Sequence, residues 1–319
     1  MPLPAMANKM PLSRKFTFFL FAVLILISLS CPANASGASA PGAEKKSIGQ
    51  TFGGEELVYD IGVWFFSKVA QGRLLLVKDG PHSYTATLTA RTTGIIDTLL
   101  RHRRDRYVVK LRMSADGSRF LTESFEKTVS MDNKEARKGT YHFDYAKKTI
   151  TWKSWGAGKE EKSGTARMPD GVYVDDPIGA FYNFRYGVYG PIENGRNYDI
   201  PSFPKEDRFP EIHIRVATEK ELKKRIRSGN KPDFLADARI DKELFGSING
   251  DVEIRFTRGM LPVQAIAKGL VFFGDVKGRL SEVNLLQTAA EKGPSALLLS
   301  SLVSAAYGKE YASLLASPI

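Results

Sequence analysis

Along residues 55 to 66, EELVYDIGVWFF, apolar and polar positions alternate, so that Leu57, Tyr59, Ile61, Val63 and Phe65 share one face of an extended chain. The same period of two returns in SYTATLTA, where Tyr84, Ala86, Leu88 and Ala90 alternate with Thr85, Thr87 and Thr89. GRLLLV, DRYVVKLRM, RFLTESFEKTV, GTYHFDY and KTITWKSW continue the pattern, punctuated by turn pairs such as Asp116-Gly117 and Asp132-Asn133. The second half repeats the style in EIHIRVA, ADARID, DVEIRF, PVQAIAKGLV and GDVKGRLSEV. Many short strands with polar turns predict an all-β fold, an antiparallel barrel-like or strongly curved sheet. No internal repeat stands out.

Two helical islands interrupt the strands. GIIDTLL, Gly94 to Leu100, predicts one or two turns. The other is DDPIGAFYNFRYGVY, where Asp176 suits an N-cap and Pro177 the first helical position. Phe181, Phe184 and Val188 fall on one side of this helix, and Ile178, Tyr182 and Arg185 on another, so apolar residues wrap most of it. Such a helix is buried. Its rings plug the concave face of a sheet or line a cavity for an apolar ligand, and both readings demand the same residue types.

The ends of the chain differ from the middle. Lys9, Arg14 and Lys15 precede an uncharged apolar run from Phe16 to Leu29, followed by Ala33-Asn34-Ala35. Residues 1–35 therefore read as a signal peptide cleaved before Ser36. The rival, a lipid attached to Cys31 as in an outer-membrane lipoprotein, fits less well because the usual leucine is not three positions upstream. The expected location is periplasmic or secreted. Residues 36–50 read as a flexible leader, 51–285 as the β domain, and 286–319 as a C-terminal helical tail that docks back, self-associates or lies on a membrane.

The full chain carries a formal charge of +11, and removal of residues 1–35 lowers it to +8 and takes away the only cysteine. A chain without thiols has no disulfide, thiolate metal site or cysteine nucleophile. Positive charge suits an anionic lipid or polysaccharide, whereas no nucleic-acid-binding motif is present. His82, His102, His142 and His213 are far apart, no serine sits in a Gly-x-Ser-x-Gly elbow, and no glycine-rich loop cradles a phosphate. Asp175-Asp176 reads as a helix start and Glu160-Glu161 as a solvated turn. The sequence therefore calls for no catalytic residue, no metal and no cofactor.

RHRRDR, Arg101 to Arg106, is the densest basic cluster and follows directly on the apolar island Ile95 to Leu100. It reads either as a solvated turn with Arg104 and Arg106 on the exposed face of the next strand, or as a headgroup site for an amphiphile. In the second reading Arg104 and Arg106 hold the head, while Phe181, Tyr182, Phe184 and Arg185 of the aromatic helix meet the tail. KELKKRIRSGNK reads as a charged helix or strand pair followed by a turn.

The order of these pieces resembles a family of bacterial exported proteins, domain-of-unknown-function family 3108. The similarity rests on Tyr59 and Trp64 in the opening strand, Ile95 to Leu100 before Arg104 to Arg106, Asp176-Pro177 with Arg185, and Pro262 before a closing hairpin. It implies an all-β exported domain, and it implies no activity and no catalytic residues. The expectation that follows is a non-catalytic envelope protein binding a lipid or other amphiphile, with peripheral membrane contact. The alternatives are an assembly partner of envelope proteins, with its interior filled by its own side chains, and an uncharacterised hydrolase.

Overall fold

The computed structural model describes residues 46–203, 209–226, 232–240, 249–270 and 274–286. The expected signal peptide and almost all of the C-terminal tail lie outside the described residues.

Fourteen antiparallel strands form one sheet: β1 (Glu55–Val63), β2 (Phe66–Lys78), β3 (Ser83–Thr92), β4 (Arg104–Met113), β5 (Phe120–Met131), β6 (Lys134–Asp144), β7 (Thr149–Gly156), β8 (Lys162–Arg167), β9 (Asn197–Pro201), β10 (Glu211–Val216), β11 (Phe234–Arg239), β12 (Asp251–Phe256), β13 (Pro262–Leu270) and β14 (Gly274–Leu285). Their order is β8-β7-β6-β5-β4-β3-β2-β1-β14-β13-β12-β11-β10-β9. Two meanders are thus joined twice, by the β1–β14 ladder in the middle and by the long segment between β8 and β9. Among the described residues the sheet is not closed, and β8 and β9 are its edges. It is nevertheless strongly curved. Phe203, two residues past β9, stacks on Tyr141 of β6 at 4.2 Å and meets Phe125 of β5 edge-on.

Strand phase decides what enters the core. Leu57, Tyr59, Ile61 and Val63 of β1 are buried, as are Tyr84, Ala86, Leu88 and Ala90 of β3, and Tyr107, Val109 and Leu111 of β4. The expected fifth member of the β1 face, Phe65, is not in it. The chain turns at Trp64, in the left-handed region at φ 49°, and β2 begins at Phe66. Phe65 is left at the hairpin tip.

Four helices are described. α1 (Ile48–Phe52) is closed by a reciprocal cap between Ser47 and Gln50, and it buries Ile48 and Phe52. It begins within the stretch expected to be a flexible leader, because two buried apolar residues and a cap suffice to dock one turn. α2 (Gly94–Leu99) connects β3 to β4, and α4 (Glu219–Arg225) realises the helical option for the KELKK segment.

α3 (Pro177–Tyr186) starts as expected. Asp176 accepts from the amides of Ile178 and Gly179 at 2.8 and 3.1 Å, and Gly187 ends the helix in the left-handed conformation at φ 82°. Every residue from Pro177 to Arg185 is buried. The approach to the sheet is close. A methyl on Gly179 would lie 2.8 Å from Thr122 Oγ1 of β5, so only glycine fits there.

Candidate functional site: an amphipathic end of the sheet

The register of the central strands brings several connections to one end. Val63 pairs with Phe66 and with Val276, Ala70 pairs with Thr92, and Arg104 pairs with Arg91 and Ser130. The β1–β2 tip, the β3–α2–β4 connection and the Asp132-Asn133 turn therefore share that end. The Thr93 amide donates to the Val69 carbonyl at 2.9 Å and anchors α2 beside the β1–β2 hairpin, against which it packs.

This end is unusually apolar for an exposed surface. Phe65 is 84% exposed, Ile95 82%, Leu99 68% and Trp64 62%, and the Phe66 ring stands beside Phe65 with centroids 4.5 Å apart. Ile96 and Leu100 face inward and pack against the core, so α2 is split between a docked face and an outward one. Scattered single hydrophobic residues are normal on a protein surface; Trp64, Phe65, Ile95 and Leu99 stand on two connections at the same end of the sheet.

Cations surround it. Asp97 in α2 acts as a hub, accepting from Thr92 Oγ1 at 2.5 Å and Arg104 Nη1 at 2.7 Å, and lying 2.8 Å from His102 Nδ1. The hydrogen bond from Arg104 is the main reason its carboxyl stays well below the usual range. Arg101 and His102 both adopt left-handed backbone, φ 58° and 51°, and Arg101 reaches Asp132 at 2.8 Å. Lys68 pairs with Asp60 at 2.8 Å. Arg101, Arg104 and Lys68 nonetheless remain substantially exposed.

The six residues expected to bind a ligand separate into two places. Arg104 and Arg106 stand on the exposed face of β4, in keeping with the strand alternation. Arg103 and Asp105, between and beside them, turn inward, where Arg103 forms a buried ion pair with Asp105 at 2.8 Å. Phe181, Tyr182, Phe184 and Arg185 lie on the inner side, fully or almost fully buried. The Phe181 and Tyr182 rings pack 4.4 Å apart, Tyr182 packs against Phe52 and Phe120, and Phe184 packs edge-on to Tyr198 of β9. The arginine pair and the aromatic helix are therefore not brought together. Adjacent β4 positions point to opposite faces of the sheet, and α3 occupies only one of them. The rings plug the concavity, whereas Arg104 reaches α2 through Asp97.

α3 is anchored by polar groups that the sequence reading treated only as a helix start. Asp175 accepts from Arg119 Nη2 at 2.7 Å, from Asn183 Nδ2 at 3.1 Å and from the Tyr189 hydroxyl. Arg119 in turn lies over the Tyr173 ring at 4.5 Å. Loss of hydration pushes both buried carboxyls upward, and Asp176 reaches about 7. Among the histidines, His213 lies beside Asp199 and Glu211, their ligand atoms within 4.8 Å of one another, but all three are exposed and the His213–Asp199 hydrogen bond accounts for the arrangement. An open groove of about 680 Å³ is lined by the ion pairs Arg112–Glu123 and Lys147–Asp144 with His142, and by Phe143, Tyr145 and Ala146.

The family model for a protein of unknown function, DUF3108, matches residues 58–268. The chain belongs to that family. Its match spans β1 to β13 and so includes the β1–β2 tip, α2 and α3. Among solved structures, this DUF3108 chain is similar to a beta-barrel-like protein of domain of unknown function DUF1849 from Brucella abortus. The TM-score is 0.39 at 12% identity, over 74% of this chain and 99% of that one. No curated protein matches.

Proposed function

We propose that this DUF3108 protein is an exported, non-catalytic envelope protein that binds an amphipathic partner on its exterior, at the end of the sheet formed by the β1–β2 tip and α2. The observation that carries this reading is the juxtaposition of outward-facing Trp64, Phe65, Ile95 and Leu99 with exposed Lys68, Arg101 and Arg104. Apolar and cationic groups side by side meet the two opposed requirements of an amphiphile. The interior does not offer the same opportunity, since α3 occupies the concave face with side chains that are already packed.

The test is a titration with a fluorescent single-chain anionic phospholipid analogue below its micellar concentration. Saturable binding is expected, weakened at least tenfold by Ile95→Ser with Leu99→Ser and unchanged by Phe181→Leu. Loss of binding in Phe181→Leu with none in the α2 variant would place the ligand in the interior instead.

A second reading, that of an assembly partner of other envelope proteins, draws on the same packed interior. It predicts no lipid binding, and capture of a protein through the same end.

A further inference from the structure

Resting on that reading, a more specific partner follows from the shape of the surface. We propose that the β1–β2 tip and α2 dock on an anionic bilayer, with Trp64, Phe65, Ile95 and Leu99 entering the boundary between headgroups and acyl chains. Lys68, Arg101 and Arg104 then meet the lipid phosphates.

Three observations converge on a bilayer rather than a single lipid. First, the exposed apolar groups project. A two-residue hairpin tip and the outward face of a short helix enclose nothing, as the exposures of 84% at Phe65 and 82% at Ile95 show. Discrete ligands are held in concave sites, whereas a fluid interface closes around a projection. Secondly, the residue types suit their depths. A Trp belongs at the headgroup level and Phe, Ile and Leu just beneath it, with Lys and Arg flanking. Thirdly, the cations are fixed in place, each held by one carboxylate: Lys68 by Asp60, Arg101 by Asp132 and Arg104 by Asp97. Asp97 is shared between Arg104 and His102, and the Arg101 and Arg104 side chains keep 63% and 43% of their surface exposed within their ion pairs. Their forks retain free faces for phosphate oxygens. The chain without residues 1–35, at a formal +8, adds its net charge to the attraction.

The support beneath is rigid. Trp64 continues directly from the buried face of β1, and α2 is tied down at Thr93, Asp97 and Leu100. Insertion thus requires no unfolding of the sheet.

The experiment uses the purified exported form, from Ser36 onward, carrying Trp152→Phe and Trp155→Phe, which leaves Trp64 as the sole tryptophan reporter. It is mixed with phosphatidylglycerol vesicles, with phosphatidylcholine vesicles, and separately with monomeric lysophosphatidylglycerol. Sedimentation with phosphatidylglycerol vesicles and a blue shift of Trp64 emission are expected, with binding at least tenfold weaker to phosphatidylcholine. Phe65→Ser with Ile95→Ser is expected to lower vesicle binding at least tenfold, and Arg101→Gln with Arg104→Gln to reduce it to the phosphatidylcholine level. Vesicle binding that survives the Phe65/Ile95 variant, or that leaves Trp64 emission unmoved, assigns the contact to another segment and overturns the inference. Saturable binding of the lysolipid without vesicle binding overturns bilayer docking alone and leaves the exterior amphiphile site standing. Binding to neither overturns both.

Discussion

Arg185 of α3 and Glu55 of β1, 130 residues apart, meet in a buried two-pronged ion pair, Nη1 donating to Oε1 and Nη2 to Oε2. The guanidinium also lies over the Phe52 and Phe181 rings at 4.4 and 4.7 Å. One contact thus ties the plug to the first strand and to α1. Removing a single partner of a buried pair strands the other charge, which costs about 3–5 kcal/mol. Glu55→Ala is accordingly expected to lower unfolding free energy by about that amount in urea titration. Glu55→Leu combined with Arg185→Met is expected to cost less than Glu55→Ala. A double variant that costs as much as the sum of its two single changes would show the pair to be uncoupled.

The rings of the plug are core. Phe181→Ala or Phe184→Ala is expected to destabilise by about 3–5 kcal/mol, as for other buried phenylalanines. A loss below about 1 kcal/mol in either would mean that the ring faces open space.

The exposed arginines are expected to behave in the opposite way. Arg104→Gln with Arg106→Gln removes only solvent-exposed charge, and exposed pairs such as Arg104–Asp97 contribute about 0–1 kcal/mol. Thermal unfolding of the double variant is expected to differ little from that of the parent. A large drop would assign Arg104 a structural role through Asp97.

Acid is expected to favour the plug. Burial raises the Asp176 carboxyl from its ordinary 3.8 to about 7, against the pull of hydrogen bonds from Thr122, Gly179 and Ile178. Between those values the folded chain holds a proton that the unfolded chain has released. The contribution of Asp176 is therefore fully present below about pH 4 and is lost as pH rises through 7. Asp176→Asn cannot titrate, so the stability of the parent relative to this variant is expected to fall across that window. A difference that stays flat from pH 4 to 8 contradicts the assignment.

Much of this was legible in the sequence, and the exceptions have identifiable causes. Alternation located most strands, and Asp176-Pro177 with its ring of apolar residues marked a capped, buried helix. β8, KSGTAR, went unread because an edge strand with only Ala166 buried has almost no apolar signal, and β9 is five residues long. The alternation carries the β1 face on to Phe65 because the turn at Trp64 contains no Gly, Pro, Asn or Asp to announce it. The signal was there in another form. Three consecutive aromatics, Trp64 to Phe66, break the alternation that precedes them. In RHRRDR the alternation of DRYVVKLRM sets Arg104 and Arg106 on the exposed face, but it does not announce that Arg103, one residue before β4, turns inward to pair with Asp105. In the fold the phase of β4, fixed by buried Tyr107 and Val109, extends to Arg103.

Hydrogen exchange of the full chain with and without phosphatidylglycerol vesicles tests the exterior site most directly, because it reads every connection at once. The account predicts slowed exchange at residues 64–68 and 94–104, with α3 unchanged between Pro177 and Tyr186. Slowed or accelerated exchange within α3, with the β1–β2 tip and α2 unaffected, would contradict it and return the ligand to the interior of the sheet.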